Sequence, residues 1–298
     1  MPFGFLFRGY LSLRGGGFYK QKMIQEEKLI SDLEKLNTAT ITLITRISKQ
    51  QEEYAVDRLI ESLNAFQLTP SGTIDNTANN INRISGLIEN YRAVIFTPEF
   101  TSNISALLFK HYQQIAKLQQ EYFLKAEQVS GNIKLLNALQ SNALTTTITD
   151  LQYAGVNTTG LNRVLSASVS DNLTLSQAGR LIKQNVPGEL TRYANEIVTD
   201  SLYQYERNVT KVVTNDLGLQ HYYYSGTVRE TTRPFCKTRS GNAYTETEVR
   251  SWGKLGDWAG KIEGTNEKTI FTYLGGYNCR HRLLPITERR YSQIKNGG

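Results

Sequence analysis

QEEKLISDLEKLNTATITLITRISKQQEEYAVDRLIESLNAF (residues 25–66) contains no proline and no glycine. Leu29, Leu33, Leu36, Thr40, Leu43 and Ile47 recur in it at alternating steps of four and three, the a/d seam of a coiled coil or of a long antiparallel helix pair. Glu26, Glu27 and Asp32 crowd its start, where a helix dipole favours negative charge. The seam weakens through Lys49-Gln50-Gln51-Glu52-Glu53 and resumes with Tyr54, Leu59 and Leu63. Leu68-Thr-Pro-Ser-Gly-Thr73 then breaks it.

Downstream, a second helix is expected over 76–95, and Pro98 starts a third. Ile104, Leu107, Leu108, Tyr112, Ile115, Leu118 and Phe123 carry that third helix at helical spacing to about residue 128. Ser130-Gly131 marks a break, and 132–151 reads as more helix fading into Thr145-Thr146-Thr147. Residues 23–155 are therefore expected to form an elongated helical body. Nothing in it pairs an acid with a base at catalytic spacing, and no glycine loop suits a phosphate. It reads as a scaffold.

Upstream lies MPFGFLFRGYLSLRGGGFYKQK (1–22), with five glycines among its aromatics. Gly4 and Arg8 interrupt its apolar run and no small-residue cleavage site follows, so it does not read as a secretory signal. Gly15-Gly16-Gly17 has the most backbone freedom to lose on ordering. The expectation is a flexible basic arm whose Phe3, Phe5, Phe7 and Tyr10 dock on a partner. Met23 is an alternative natural start.

Helices are expected again over 158–216, with Leu173–Ile182 a short amphipathic one closed by Pro187-Gly188 and Gly218 placed as a C-cap. The texture then changes. His221-Tyr222-Tyr223-Tyr224-Ser225-Gly226-Thr227-Val228 is β-prone, and turn-rich sequence with both cysteines and both tryptophans follows. The fold class is α+β: a long α-helical body, then a small α+β module over 156–290 and a short tail, 291–298.

The composition of all 298 residues, 39% hydrophobic and 20% charged, excludes a fully disordered chain. Two cysteines exclude a disulfide-rich secreted scaffold, and no apolar run is long enough to span a membrane. The net charge of +7 is uneven. Residues 1–22 hold four bases and no acid, and 221–298 hold 13 Lys/Arg against 7 Asp/Glu, around a mildly acidic middle. Basic ends point to a polyanion or an acidic protein surface. Arg280, Arg282, Arg289 and Arg290, bunched near the end, are the expected contacts to DNA or to such a protein surface; a solvated strand edge is the plain alternative for Arg280 and Arg282. Tyr222, Tyr223, Tyr224, Trp252 and Trp258 are expected in the core of the small module rather than stacked on bases.

One order of motifs carries a resemblance. A helix containing Arg192-Tyr-Ala-Asn-Glu-Ile-Val-Thr199 ends at Gly218, and an aromatic strand follows. Next come Arg229-Glu-Thr-Thr-Arg-Pro-Phe-Cys236, Ser240-Gly-Asn-Ala-Tyr244 and Trp252, and then Gly275-Gly-Tyr-Asn-Cys-Arg-His-Arg-Leu-Leu-Pro-Ile286. Over residues 170–290 this resembles the phage Mu F-like head morphogenesis proteins, minor head proteins of tailed phages. His281 stands where that family usually has a second cysteine, and Tyr277 where a histidine is common. The resemblance implies a structural, non-enzymatic part of the virion, assembled in the host cytoplasm. Its implied partners are the portal protein, other virion proteins and packaged DNA bound without sequence preference, with several copies per virion.

Cys236, Cys279 and His281 are the only residues able to build a reactive or metal site. Forty-two residues separate the cysteines and one separates Cys279 from His281. Two free thiols, a disulfide and a structural zinc all remain open. A zinc would draw a fourth ligand from His221, Glu230 or Glu248. A nuclease- or toxin-like enzyme centred on Cys236 and His281, with Asn278 orienting the histidine, is the rival functional reading; a helical adaptor protein is another.

Overall fold

The computed structural model describes the backbone of residues 16–126 and 133–297, and side chains over 27–122 and 134–297. The helical part comprises α1 (Gly16–Ser62), α2 (Ala78–Ile95), α3 (Pro98–Ala126), α4 (Ile133–Ala154), α5 (Thr158–Ser170), α6 (Leu175–Asn185) and α7 (Glu189–Asp216). Then come β1 (His221–Ser225), α8 (Pro234–Lys237), β2 (Ala243–Thr245), α9 (Glu246–Trp252), α10 (Ile270–Tyr273), β3 (Arg282–Ile286) and α11 (Glu288–Asn296). The class is the expected α+β. The strands form one antiparallel sheet in the order β2-β1-β3, with Tyr222 opposite Tyr244 on one side and Pro285 on the other.

Helix α1 packs on α2, α3 and α7, so its apolar stripe closes a bundle. The buried line is not quite the expected one. It runs through Leu29, Leu33, Asn37, Ile41, Ile44, Ser48, Glu52, Ala55 and Leu59, while Leu36, Leu43 and Ile47 are half-buried and Tyr54 is exposed. Three polar residues occupy the line, and a pattern confined to apolar residues slides onto the neighbouring ridge. The Thr-rich segment does not end a helix either. Thr147 lies inside α4, buried, and donates to the Ala143 carbonyl at 2.7 Å beside the Tyr112 and Ser201 hydroxyls.

The two hydrophobic cores divide at Leu217–Gln220 rather than at residue 155. Leu161, Leu165, Ile182, Leu190, Val198, Leu202 and Val213 join the same core as Leu33, Ile44 and Ile104. Helix α7 lies along α1, α3 and α4, so its apolar face has nowhere else to bury. The second core begins at Tyr222 and holds Tyr224, Phe235, Trp252, Phe271 and Leu283, with Trp258 packed against it. Four of the five aromatics expected in this core are there; Tyr223 is half-buried on the opposite face of β1, because successive side chains of a strand alternate between its faces. At the ends, α1 includes Gly16–Lys22, which the sequence assigns to the arm, because an established helix extends at one hydrogen bond per residue. Residues 1–15 and the Ser130-Gly131 break lie outside the described residues. Residues 291–296, expected as a tail, complete α11, which Thr287 caps and Tyr291 docks on His221 with ring centroids 4.4 Å apart.

A buried histidine sits deep in the bundle. Asn37 donates through Nδ2 to Glu206 at 3.0 Å, so its Oδ1 is the acceptor for His111 Nε2–H at 2.9 Å. His111 Nδ1 then accepts from the Thr40 hydroxyl at 2.6 Å. Both ring nitrogens are satisfied in the neutral form. Burial lowers the His111 pKa from 6.5 to about 4. The unfolded chain therefore takes up this proton first, and stability should fall as pH drops from 6.5 towards 4. The loss approaches roughly 3 kcal/mol. Urea melts across that window should show it, and His111→Gln should flatten the dependence; an unchanged profile in the variant would assign it elsewhere.

Candidate functional site

The two halves of the sequence motif meet in space. Pro234 occupies the first turn of α8, where its missing N–H costs nothing, and this short helix delivers Cys236. The second half arrives through a strained turn. Leu274 and Asn278 both have positive φ, 46° and 56°, and Leu274 is held there by complete burial. Cys279 and His281 follow on the approach to β3. The two sulfurs lie 3.8 Å apart, and Cys279 Sγ is 4.0 Å from His281 Nδ1. All three side chains are buried.

Helix α7 fixes this loop. Arg207, itself buried, donates from Nε to the His281 carbonyl at 3.0 Å and from Nη1 to the Thr272 carbonyl at 2.7 Å; Nη2 reaches the Cys279 carbonyl. About two turns earlier on the same helix, Asp200 accepts from the Asn278 amide at 2.5 Å. Burial pushes the Asp200 carboxyl up to about 6, against the Asn278 bond and Arg207. Cys279 is held below the usual thiol range, first by its hydrogen bond with Cys236, then by Arg207 and His281 against burial. That same partnership, together with burial, raises Cys236. Tyr224 lies beside the cluster, its ring 5.4 Å from His281, and burial raises its phenol well above the ordinary value.

Two glycines make room. A Cβ on Gly275 would fall 2.2 Å from Cys236 Sγ and 3.0 Å from Cys279 Sγ, and one on Gly226 would fall 2.3 Å from the His281 ring. Gly275→Ala should therefore destabilise the protein by about 1–3 kcal/mol, as overpacking does. It should also change the reactivity of both thiols towards a thiol reagent. A variant with unaltered melting temperature and thiol kinetics would show that the sulfurs are not confined.

A cavity of about 360 Å³ opens over the cluster, lined by Cys236, Cys279 and His281 and by Arg229, Arg233 and Arg280. Glu34 also lines it, but its carboxylate is engaged by Arg282 at 2.7 Å and by the Tyr203 hydroxyl at 2.8 Å.

The residues expected to hold a metal are thus brought together, and among the described residues they form the one group of His, Cys and acidic side chains with metal-ligand convergence. The proposed fourth ligands are not among them. His221 stacks on Tyr291 at the far end of β1, Glu248 caps α9 and pairs with Lys295 at 3.8 Å, and Glu230 is on an exposed loop. The sulfur beside the histidine nitrogen is Cys279 rather than Cys236, and the bond at Asn278 runs from its backbone to Asp200.

The four expected contact arginines do not form a patch. Arg282 is buried and pairs with Glu206 and Glu34, so it is neither a DNA contact nor a solvated edge. Arg280 is exposed at one end of β3, and Arg289 and Arg290 sit on α11 beyond the other. A strand separates residues that are neighbours in sequence. Sequence reasoning missed Arg207, Asp200 and Glu206, because their spacing on α7 is ordinary helix surface until the loop they hold is known. It also passed over Arg229 and Arg233, although both stand in the first motif. Comparison with protein-family models, curated proteins and solved structures gave no match.

Proposed function

We propose that this chain is a structural, non-enzymatic minor head protein of a tailed-phage virion, sited at or near the portal vertex and the packaged DNA. One observation carries the reading. The Arg-Pro-Phe-Cys and Asn-Cys-Arg-His elements, the specific part of the resemblance, converge on one buried cluster in a small module. That module is built onto the side of a long helical bundle, an arrangement suited to a fixed part of a large assembly. An enzyme centred on the cluster is favoured by one feature, the cavity above it. No helix among the described residues is long and apolar enough to cross a membrane.

The test is a mass-spectrometric inventory of particles purified from the strain that carries the gene. Finding the chain in DNA-filled heads at a fixed ratio to portal protein supports the reading; its absence from complete virions overturns it. Any DNA contact should be sequence-independent, because the sequence carries no base-reading motif. The full chain should retain unrelated duplexes at low salt, with log affinity falling by about 0.9 per neutralised phosphate for each log unit of salt. Arg289→Ala with Arg290→Ala should weaken all duplexes alike and flatten that slope. Failure to retain any duplex would leave an acidic protein surface as the partner of the basic module.

A further inference from the structure

We infer that Cys236, Cys279 and His281 hold one zinc ion through three protein ligands, with a fourth coordination position facing the arginine-lined cavity. The inference concerns the isolated chain and stands independently of the virion role.

The geometry is that of a ligand set rather than of a cross-link. The donor atoms all lie within 4.8 Å of one another, and the two sulfurs are 3.8 Å apart. Two thiolates bound at about 2.3 Å to one tetrahedral zinc are themselves about 3.8 Å apart. A disulfide instead requires about 2.05 Å. The chemistry selects the metal class: two soft sulfurs and an imidazole suit zinc and disfavour magnesium or calcium.

The surroundings fit an ion as well. Three electron-rich atoms converge in a buried space, and they repel one another unless a proton or cation lies between them. The ligand loop is held from behind by Arg207 through the carbonyls of Cys279 and His281, the kind of outer support that orients metal ligands. Gly275 and Gly226 keep backbone close to the sulfurs and the imidazole where any side chain would intrude. The imidazole turns Nδ1 towards Cys279 Sγ at 4.0 Å, and its other nitrogen, Nε2, is buried without a hydrogen-bond partner among the described residues.

The fourth position follows by placement. His221, Glu230 and Glu248 are elsewhere, and no further described histidine, cysteine or acid joins the group. Cys236, Cys279 and His281 all line the cavity, together with Arg229, Arg233 and Arg280. The remaining ligand is therefore a water molecule or a small anion from solution, and the guanidinium groups favour the anion.

The experiment uses the full chain, purified without chelator from cells grown with added zinc. Elemental analysis should find one zinc per chain. Cys236→Ser, Cys279→Ser and His281→Ala should each reduce it to background, while His221→Ala should retain it. Because a ligand variant can fail to fold, the unsubstituted chain is also stripped of metal and titrated with cobalt(II). Intense visible bands of tetrahedral cobalt and a near-ultraviolet thiolate band should saturate at one equivalent. Added azide or phosphate should then shift the visible bands through the open position. Absence of zinc, with no thiolate–cobalt band, would overturn the site, and intact mass would then distinguish two thiols from a disulfide. A cobalt spectrum indifferent to both anions would overturn the open fourth position.

Discussion

Arg282→Ala is expected to cost about 3–5 kcal/mol of folding stability, the range for breaking a buried ion pair by removing one partner. Arg282 leaves the module on β3 and enters the helical bundle. Its guanidinium contacts both Glu206 carboxylate oxygens, one of them at 3.1 Å through Nη2, and Glu34 through Nη1 at 2.7 Å. The side chains of Arg282 and Glu206 are 3% and 2% exposed, so water does not replace the lost partner. Alanine would leave the Glu206 carboxylate buried with only the Asn37 amide for company, at 3.0 Å. Urea unfolding of the variant measures the loss. A double variant, Arg282→Met with Glu206→Leu, should recover most of it, since replacing both partners by apolar groups removes the uncompensated charge. A single variant within about 0.5 kcal/mol of the parent, the ordinary range of a surface substitution, would mean that solvent reaches the pair.

Glu52→Ala should follow at about 2–4 kcal/mol, from the loss of several hydrogen bonds to a buried charge. The first turn of α7 has no side-chain cap of its own, because its N-cap is Gly188, at φ 106°. Glu52 supplies one from α1. Its carboxylate accepts from the Gly188 amide at 2.9 Å, the Leu190 amide at 3.1 Å, the Thr191 amide at 3.4 Å and the Thr191 hydroxyl at 2.7 Å. Four donors and the positive end of a helix dipole thus meet one buried anion. Hydrogen exchange at Leu190 and Thr191 should accelerate in the variant more than at the centre of α7. Glu52→Gln, which keeps one acceptor oxygen, should lose less. Equal exchange in the parent and Glu52→Ala would remove the capping role.

These two residues show what sequence reading can and cannot reach. The 25–66 stretch identifies a long packed helix because its periodicity is strong, but Glu52 lies where that periodicity fades. A charged residue on a buried line is invisible to a hydrophobic pattern, and its partner lies 136 residues away. Arg282 misled for a related reason. Local basic density does not reveal that Glu206 and Glu34 wait in the bundle. Cys236, Cys279 and His281 were legible because their residue types are scarce, and the chain does bring them together. The division between the cores was not, because α5 to α7 have the same amphipathic texture whichever body they join. Gly226 and Gly275 carried no signal at all, since a glycine needed beside a sulfur looks like any other.

Helix α7 has a further consequence for how this gene can vary in length. Its N-terminal turn is held by Glu52, and Asp200, Glu206 and Arg207 grip the loop and strand of the module from farther along the same helix. Each residue of an α-helix advances the side-chain direction by about 100°. Inserting or deleting one residue between Thr191 and Asp200 would swing the gripping side chains away from the cluster while leaving every other helix intact. The exposed connection at 227–231 carries no such angular bookkeeping and should accept length changes far more readily. A deletion scan read by thermal melting would map the helix as a spacer of fixed phase.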